Sequence, residues 1–189
     1  MKRKILNILF ALLFLTGLGI LTYPTISDQW NTFRQSRLIS DYQETVSRME
    51  EEDFEEVWEA ARSYNQTFGQ NSILSDVFGI DEAEQIEDTA YWQVLNVAGD
   101  GVMGYLTIPK INIRLAIYHG TDEKVLQTGV GHMNGTKLPI GGESNHTVLS
   151  AHRGLPSAKL FTDIDQLERG DLFYLHILDE DLAYEVDRI

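Results

Sequence analysis

The chain has 189 residues, enough for one domain plus an appendage. Fifteen Lys and Arg stand against 29 Asp and Glu, a net charge of −14 that argues against a nucleic-acid partner, because phosphate binding requires a basic face. Cysteine is absent, so these residues contain no disulfide, thiolate metal site or thiol nucleophile.

Lys2, Arg3 and Lys4 precede an apolar run, Ile5–Tyr23, broken only by Asn7, Thr16, two glycines and Thr22. As a helix at ~1.5 Å per residue the run spans ~28 Å, close to the hydrocarbon core of a bilayer. A cleaved signal peptide is the alternative. Its apolar stretch is usually ~7–15 residues and ends in a small-x-small site, which Gly17-Leu18-Gly19 imitates poorly and from inside the run. The pattern therefore favours an uncleaved anchor in residues 1–27, with its basic end cytoplasmic and the body outside the cell.

From Asp28 to about Phe68 apolar residues recur mostly three or four apart: Trp30, Phe33, Leu38, Tyr42, Val46, Met49, Phe54, Val57, Trp58, Ala61 and Tyr64. Asp28 is a candidate N-cap, and Glu50–Glu52 with Glu55 and Glu56 would form a solvated face. The wide steps at Phe33–Leu38 and Met49–Phe54 predict a bend or two helices. The aromatic stripe either docks a partner or packs on the body, and packing is the commoner use of such a stripe. This helical extension occupies residues 28–70. Residues 71–98 follow as a loop region, because Asn71–Glu87 holds Asn, Ser, Gly and Asp without a clear period.

After the turn at Gly99-Asp100-Gly101 the period shifts towards two, and residues 99–189 form the body. Strands are predicted at Met103–Ile108, Ile113–Tyr118, Thr147–Ala151, Leu172–Ile177 and Leu182–Val186, the last pair joined by a tight turn around Asp179-Glu180. Short helices are predicted at Asp122–Gln127 and about Leu160–Leu167. Short strands with small helical insertions indicate a mainly β fold, a closed or nearly closed barrel.

One stretch carries candidate chemistry: Val148–Ser157, V-L-S-A-H-R-G-L-P-S. A strand here delivers His152 to its own C-terminal end, with Arg153 beside it and a Gly154-Leu155-Pro156 turn behind. Imidazole exchanges protons near neutrality, and strand ends hold side chains at pocket mouths. His132, His146 and His152 also invite a zinc site, but spacings of fourteen and six match no usual ligand pattern. No metal or other cofactor is expected. Asn65, Asn134 and Asn145 each open an Asn-x-Thr sequon.

From Gly104 onward the sequence resembles the catalytic domain of the sortases, membrane-anchored cysteine transpeptidases of Gram-positive surfaces. The pieces that match are Gly104-Tyr105-Leu106-Thr107-Ile108-Pro109-Lys110-Ile111, Ile117-Tyr118-His119-Gly120-Thr121, Gly129-Val130-Gly131-His132, Leu138-Pro139-Ile140-Gly141-Gly142 and Leu149–Pro156, with Lys159–Asp163 and Gly170-Asp171 behind them. The long N-terminal extension and His-Arg-Gly-Leu-Pro resemble class C, the pilin-polymerising group. The resemblance implies an eight-stranded β-barrel, incomplete here. It implies a reaction in which a thiolate attacks the Thr–Gly carbonyl of an LPxTG-type sorting motif on a pilin or surface protein.

Of the three groups that reaction needs, only the histidine carries over, to His152. In the family the cysteine and arginine lie on later strands, and Arg153 is not the missing arginine. Class C members also carry a lid, Asp-Pro followed by Phe or Trp. Ser75-Asp76-Val77-Phe78 matches it at Asp76 and Phe78, with Val77 in place of the proline. The absence of cysteine makes an inactive N-terminal fragment of an active enzyme the expectation. A non-enzymatic, membrane-tethered binding module with a sortase-like half-barrel is the alternative.

Overall fold

The computed structural model describes residues 2–71 and 89–189. The lid expectation at Asp76 and Phe78 lies outside them. Helix α1 runs Lys2–Ser47 and α2 Glu51–Asn71. A short helix α3, Thr89–Gln93, leads into strands β1 Val102–Ile108 and β2 Ile113–His119, then helix α4 Glu123–Leu126. Strands β3 Val130–His132, β4 Leu149–Ser150, β5 Leu172–Ile177 and β6 Glu180–Glu185 complete the order.

The described residues form a six-stranded sheet in the order β4-β3-β2-β1-β5-β6. All pairs are antiparallel except β2–β3, whose parallel pairing requires the crossover through α4. This is a mainly β half-barrel, the incomplete barrel that the resemblance implied rather than the nearly closed one read from the periodicity, with one more strand than the periodicity gave. Its core gathers Met103, Leu106, Ile117, Val130, Leu138 and Ile177, closed on one side by Trp58 and Ala61 of α2 and by Tyr91 of α3.

Two expectations about α1 need correction. The helix passes through Pro24 and through Phe33–Leu38 without a break, whereas the expected division near Met49–Phe54 is present: the chain turns at Arg48–Glu50 between α1 and α2. Asp28 is no N-cap: it sits inside the helix, and its carboxylate accepts the Lys159 N–H at 2.7 Å. The aromatic stripe also divides. Ile39 and Tyr42 are buried on the sheet and Trp58 in the core, whereas Trp30 and Phe33 remain exposed.

Buried side chains weld α1 to the sheet. The Gln35 carbonyl accepts the Ala116 N–H at 2.8 Å and its amide donates to the Thr128 carbonyl at 2.7 Å. The side chain thus completes a ladder that β3 begins to supply only at Val130, opposite Ile117. A register shift between Val102 and Gly104 disturbs β1, and the Tyr42 hydroxyl donates to the Met103 carbonyl there while accepting the Leu178 N–H. Gly104 fits this position because a Cβ would lie 2.4 Å from the His176 carbonyl oxygen. Burial pushes the Tyr42 pKa up to about 12. Asn65 is likewise buried and bonded to both Leu138 backbone groups, which removes it as a glycosylation acceptor.

Candidate active site

β4 is only two residues long, pairing Ser150 with Gly131 and Leu149 with His132. His152 therefore lies two residues beyond the strand rather than closing it. Its carbonyl accepts the Phe161 N–H at 3.1 Å, so the chain leaves the sheet and returns across a loop. Inside that loop Gly154 adopts φ +76°, and its N–H donates to the Thr162 hydroxyl. Arg153 points outward into an ion pair with Asp165 at 2.9 Å.

The His152 ring is partly exposed and faces Glu123. Nε2 lies 3.3 Å from one carboxylate oxygen and 3.4 Å from the other. Glu123 is itself held. The Asp122 side chain caps α4 by accepting the Lys124 and Val125 N–H groups, which fixes the first turn. The Gln127 amide donates to Glu123 at 2.6 Å, and that bond, then the one from His152, lowers the Glu123 pKa. A carboxylate at Nε2 favours the tautomer with its proton there and leaves Nδ1 as the base. Nδ1 has no hydrogen-bond partner among the described residues.

His132, on β3, is treated in the opposite way. It is fully buried. The Lys137 carbonyl, which can only accept, lies 2.9 Å from Nε2, so the proton sits there and Nδ1 accepts from the Tyr91 hydroxyl at 2.9 Å. The same hydroxyl accepts the Gly120 N–H at 2.8 Å, tying α3 to the end of β2 and to β3. Gly131 lets these strands approach, since a Cβ there would meet the Gly120 carbonyl oxygen at 2.4 Å. Burial lowers the His132 pKa to about 4 and raises that of Tyr91 to about 12. His119, edge-on to Tyr91 and tilted against Trp92, is also buried, with a backbone carbonyl at 2.9 Å from each ring nitrogen. Its pKa is lowered by burial.

The three histidines of the zinc alternative therefore do different things: His132 has both nitrogens engaged, His146 is exposed, and His152 faces Glu123. Among the described residues no three His, Cys, Asp or Glu side chains group as metal ligands. An open cleft of about 280 Å³ between α2 and the 137–145 loop, lined by Arg62, Asn65, Lys137 and Glu143, does not include His152. Glu123 and Tyr91 were not singled out in the sequence. The one available signal for Glu123 was its place directly after an Asp that could cap a helix.

Comparison with known proteins gives this geometry its context. A family model described as the sortase domain matches residues 106–189. Sortase C1 of Streptococcus agalactiae is similar in structure, with a TM-score of 0.71 and 45% identity, over 80% of this chain and 76% of that one. Sortase C of Streptococcus pneumoniae follows with 0.64 and 40%, over 80% and 74%. Sortase D of Bacillus subtilis is 39% identical over 83 residues, 44% of this chain and 39% of that protein, and Sortase A of Bacillus anthracis is 27% identical over 56% and 50%. The chain thus spans half or less of the curated relatives it matches, but about three quarters of the streptococcal structures. With sequence and fold shared over that extent, the chain belongs to the sortase family, in class C.

Proposed function

We propose that the protein acts as a membrane-anchored cysteine transpeptidase that cleaves an LPxTG-type sorting motif and joins pilin or surface-protein subunits. The observation that carries the proposal is His152 itself: a partly exposed imidazole held at Nε2 by Glu123, with no partner at Nδ1 among the described residues. A thiolate adds to the Thr carbonyl of the Thr–Gly bond, and imidazolium gives its proton to the departing glycine amine. A lysine amine of the next subunit then attacks the thioester, imidazole takes its proton, and the thiolate leaves. These residues contain no cysteine, so the thiol comes from outside them. Ile5–Tyr23 is the anchor in this reading, supported by its length, its hydropathy and the absence of burial against the body. Asp76 and Phe78 belong to a lid over the site, supported by the Ser75–Phe78 motif alone. Pilin substrate specificity is named for the pneumococcal relative.

The test is His152→Ala, introduced in the cells that make the protein, with covalent pilin polymers read as a ladder on denaturing gels. General acid–base groups contribute ~10²–10⁴-fold, so the ladder should vanish at an unchanged protein level. A ladder formed at a near-parental rate would leave the half-barrel as a binding module.

A further inference from the structure

α1 presents two different faces as it leaves the apolar segment. Asp28, Gln35, Ile39 and Tyr42 face the body, through the Lys159 N–H, the Ala116 N–H and the sheet. At 3.6 residues per turn, Ile26, Trp30 and Phe33 stand roughly 140–160° around the helix from Asp28, directly away from the body. They are 64%, 63% and 58% exposed, and the Trp30 and Phe33 rings pair at 6.0 Å. Tyr23, 55% exposed, begins the same side, so the stripe continues the apolar segment without a gap. Next along the helix come the exposed Arg34 and Arg37, and only then Asp41 and Glu44, each of which meets an arginine four residues away.

We propose that this outward stripe lies in the outer headgroup layer of the membrane that α1 crosses, so that the helix is tilted and the body leans up and away from the lipid. The proposal rests on the reading of Ile5–Tyr23 as a spanning segment. The order along the helix, apolar then aromatic then cationic then anionic, is the order of preference met on passing outward through a lipid interface. Length agrees. From Ile5 to Phe33 the helix covers about 42 Å, against about 36 Å for a hydrocarbon core plus one headgroup layer, so a tilt of about 30° admits the stripe, within the usual range. The direction of tilt is set as well: the stripe faces away from the body, so laying it on the lipid drives no part of the sheet into the membrane. A second copy of the chain is the weaker occupant, because three side chains offer little area for a dimer and each copy carries a charge of −14.

Residues 1–189 contain no cysteine, so single labels can be placed in them without background. Phe33→Cys and Thr32→Cys sit at nearly one height, with Thr32 turned towards the body side, and Leu13→Cys reports the spanning segment. Each variant of these 189 residues carries a fluorophore in vesicles of three parts phosphatidylcholine to one part phosphatidylglycerol, with a nitroxide quencher either on the headgroup or at mid-chain. Headgroup nitroxide should quench the label at 33 about threefold more than the label at 32, while mid-chain nitroxide quenches the label at 13. Quenching at 13 with equal quenching at 32 and 33 overturns the tilt and leaves the anchor standing. No quenching at 13 removes the anchor reading, and the tilt with it. A label at 33 that self-quenches as protein density rises, and ignores lipid quencher, assigns the stripe to a second copy and overturns the proposal.

Discussion

His132 and His152 come from one pair of strands, yet the fold makes them different chemical objects. At β3 the imidazole is fully buried, neutral, and bonded at both nitrogens by Tyr91 and Lys137. Two residues past β4 the imidazole is partly exposed, held at one nitrogen by a solvent-facing carboxylate and, among the described residues, without a partner at the other. A buried histidine with both nitrogens committed has no free site at which to exchange a proton in a reaction. Availability, rather than residue type, separates the two rings: His132 is committed to the structure, and His152 is the candidate for chemistry.

The comparison breaks first under deletion. His132→Ala removes a buried ring and two hydrogen bonds, which should cost about 2–4 kcal/mol and lower the Tm by roughly 5–15 °C. His152→Ala, at a loop end, should leave the Tm within about 2 °C of the parent. Thermal unfolding of both variants checks this, and equal losses would erase the distinction.

Acid sharpens it next. An unfolded histidine takes its proton near 6.5, whereas folded His132 does so only at about 4. Between these values the unfolded chain binds the extra proton, so stability from this group is whole above about pH 6.5, declines as pH falls, and is gone below about pH 4. The gap amounts to about 3 kcal/mol. Denaturant titrations of the parent and of His132→Gln should diverge in their pH dependence by about that much across the window. Parallel curves would mean that His132 is not buried neutral.

The smallest effect concerns the partner of His152. Glu123→Gln keeps an acceptor near Nε2 and removes the charge, so the proposed polymerisation should slow roughly two- to fivefold, the small effect of one exposed carboxylate on an imidazole it orients. The parent in high salt should slow to the same level, because screening acts on that charge. A variant equal to the parent at low salt would remove Glu123 as a positioning residue.

Much of this was legible in the sequence, and the gaps have physical causes. Leu172–Ile177 matches its strand because a short apolar and aromatic run is bounded by turn residues at Gly170-Asp171 and Asp179, and Asp122–Gln127 brackets α4 because Asp122 caps it. β3 escaped notice because Val130-Gly131-His132 has no period of its own and becomes a strand by pairing parallel to β2. The strand drawn through Thr147–Ala151 shrank to two residues, since Val148 bonds Met133 outside the ladder. The break at Asp28 was misplaced because the contact that occupies its carboxylate comes from Lys159, far along the chain. His152 could be found from its own stretch, but Glu123 could not, because their pairing exists only in the folded chain.

The most direct measurement is chemical modification of the intact chain. Diethyl pyrocarbonate acylates free imidazole nitrogens, and peptide mass mapping at pH 7 after short exposure ranks the histidines. His152 should be modified early, at a rate like that of exposed His146, while His132 stays unmodified until the protein unfolds. Modification of His132 at the rate of His152 in the folded chain would contradict the assignment of His152 as the histidine open to chemistry.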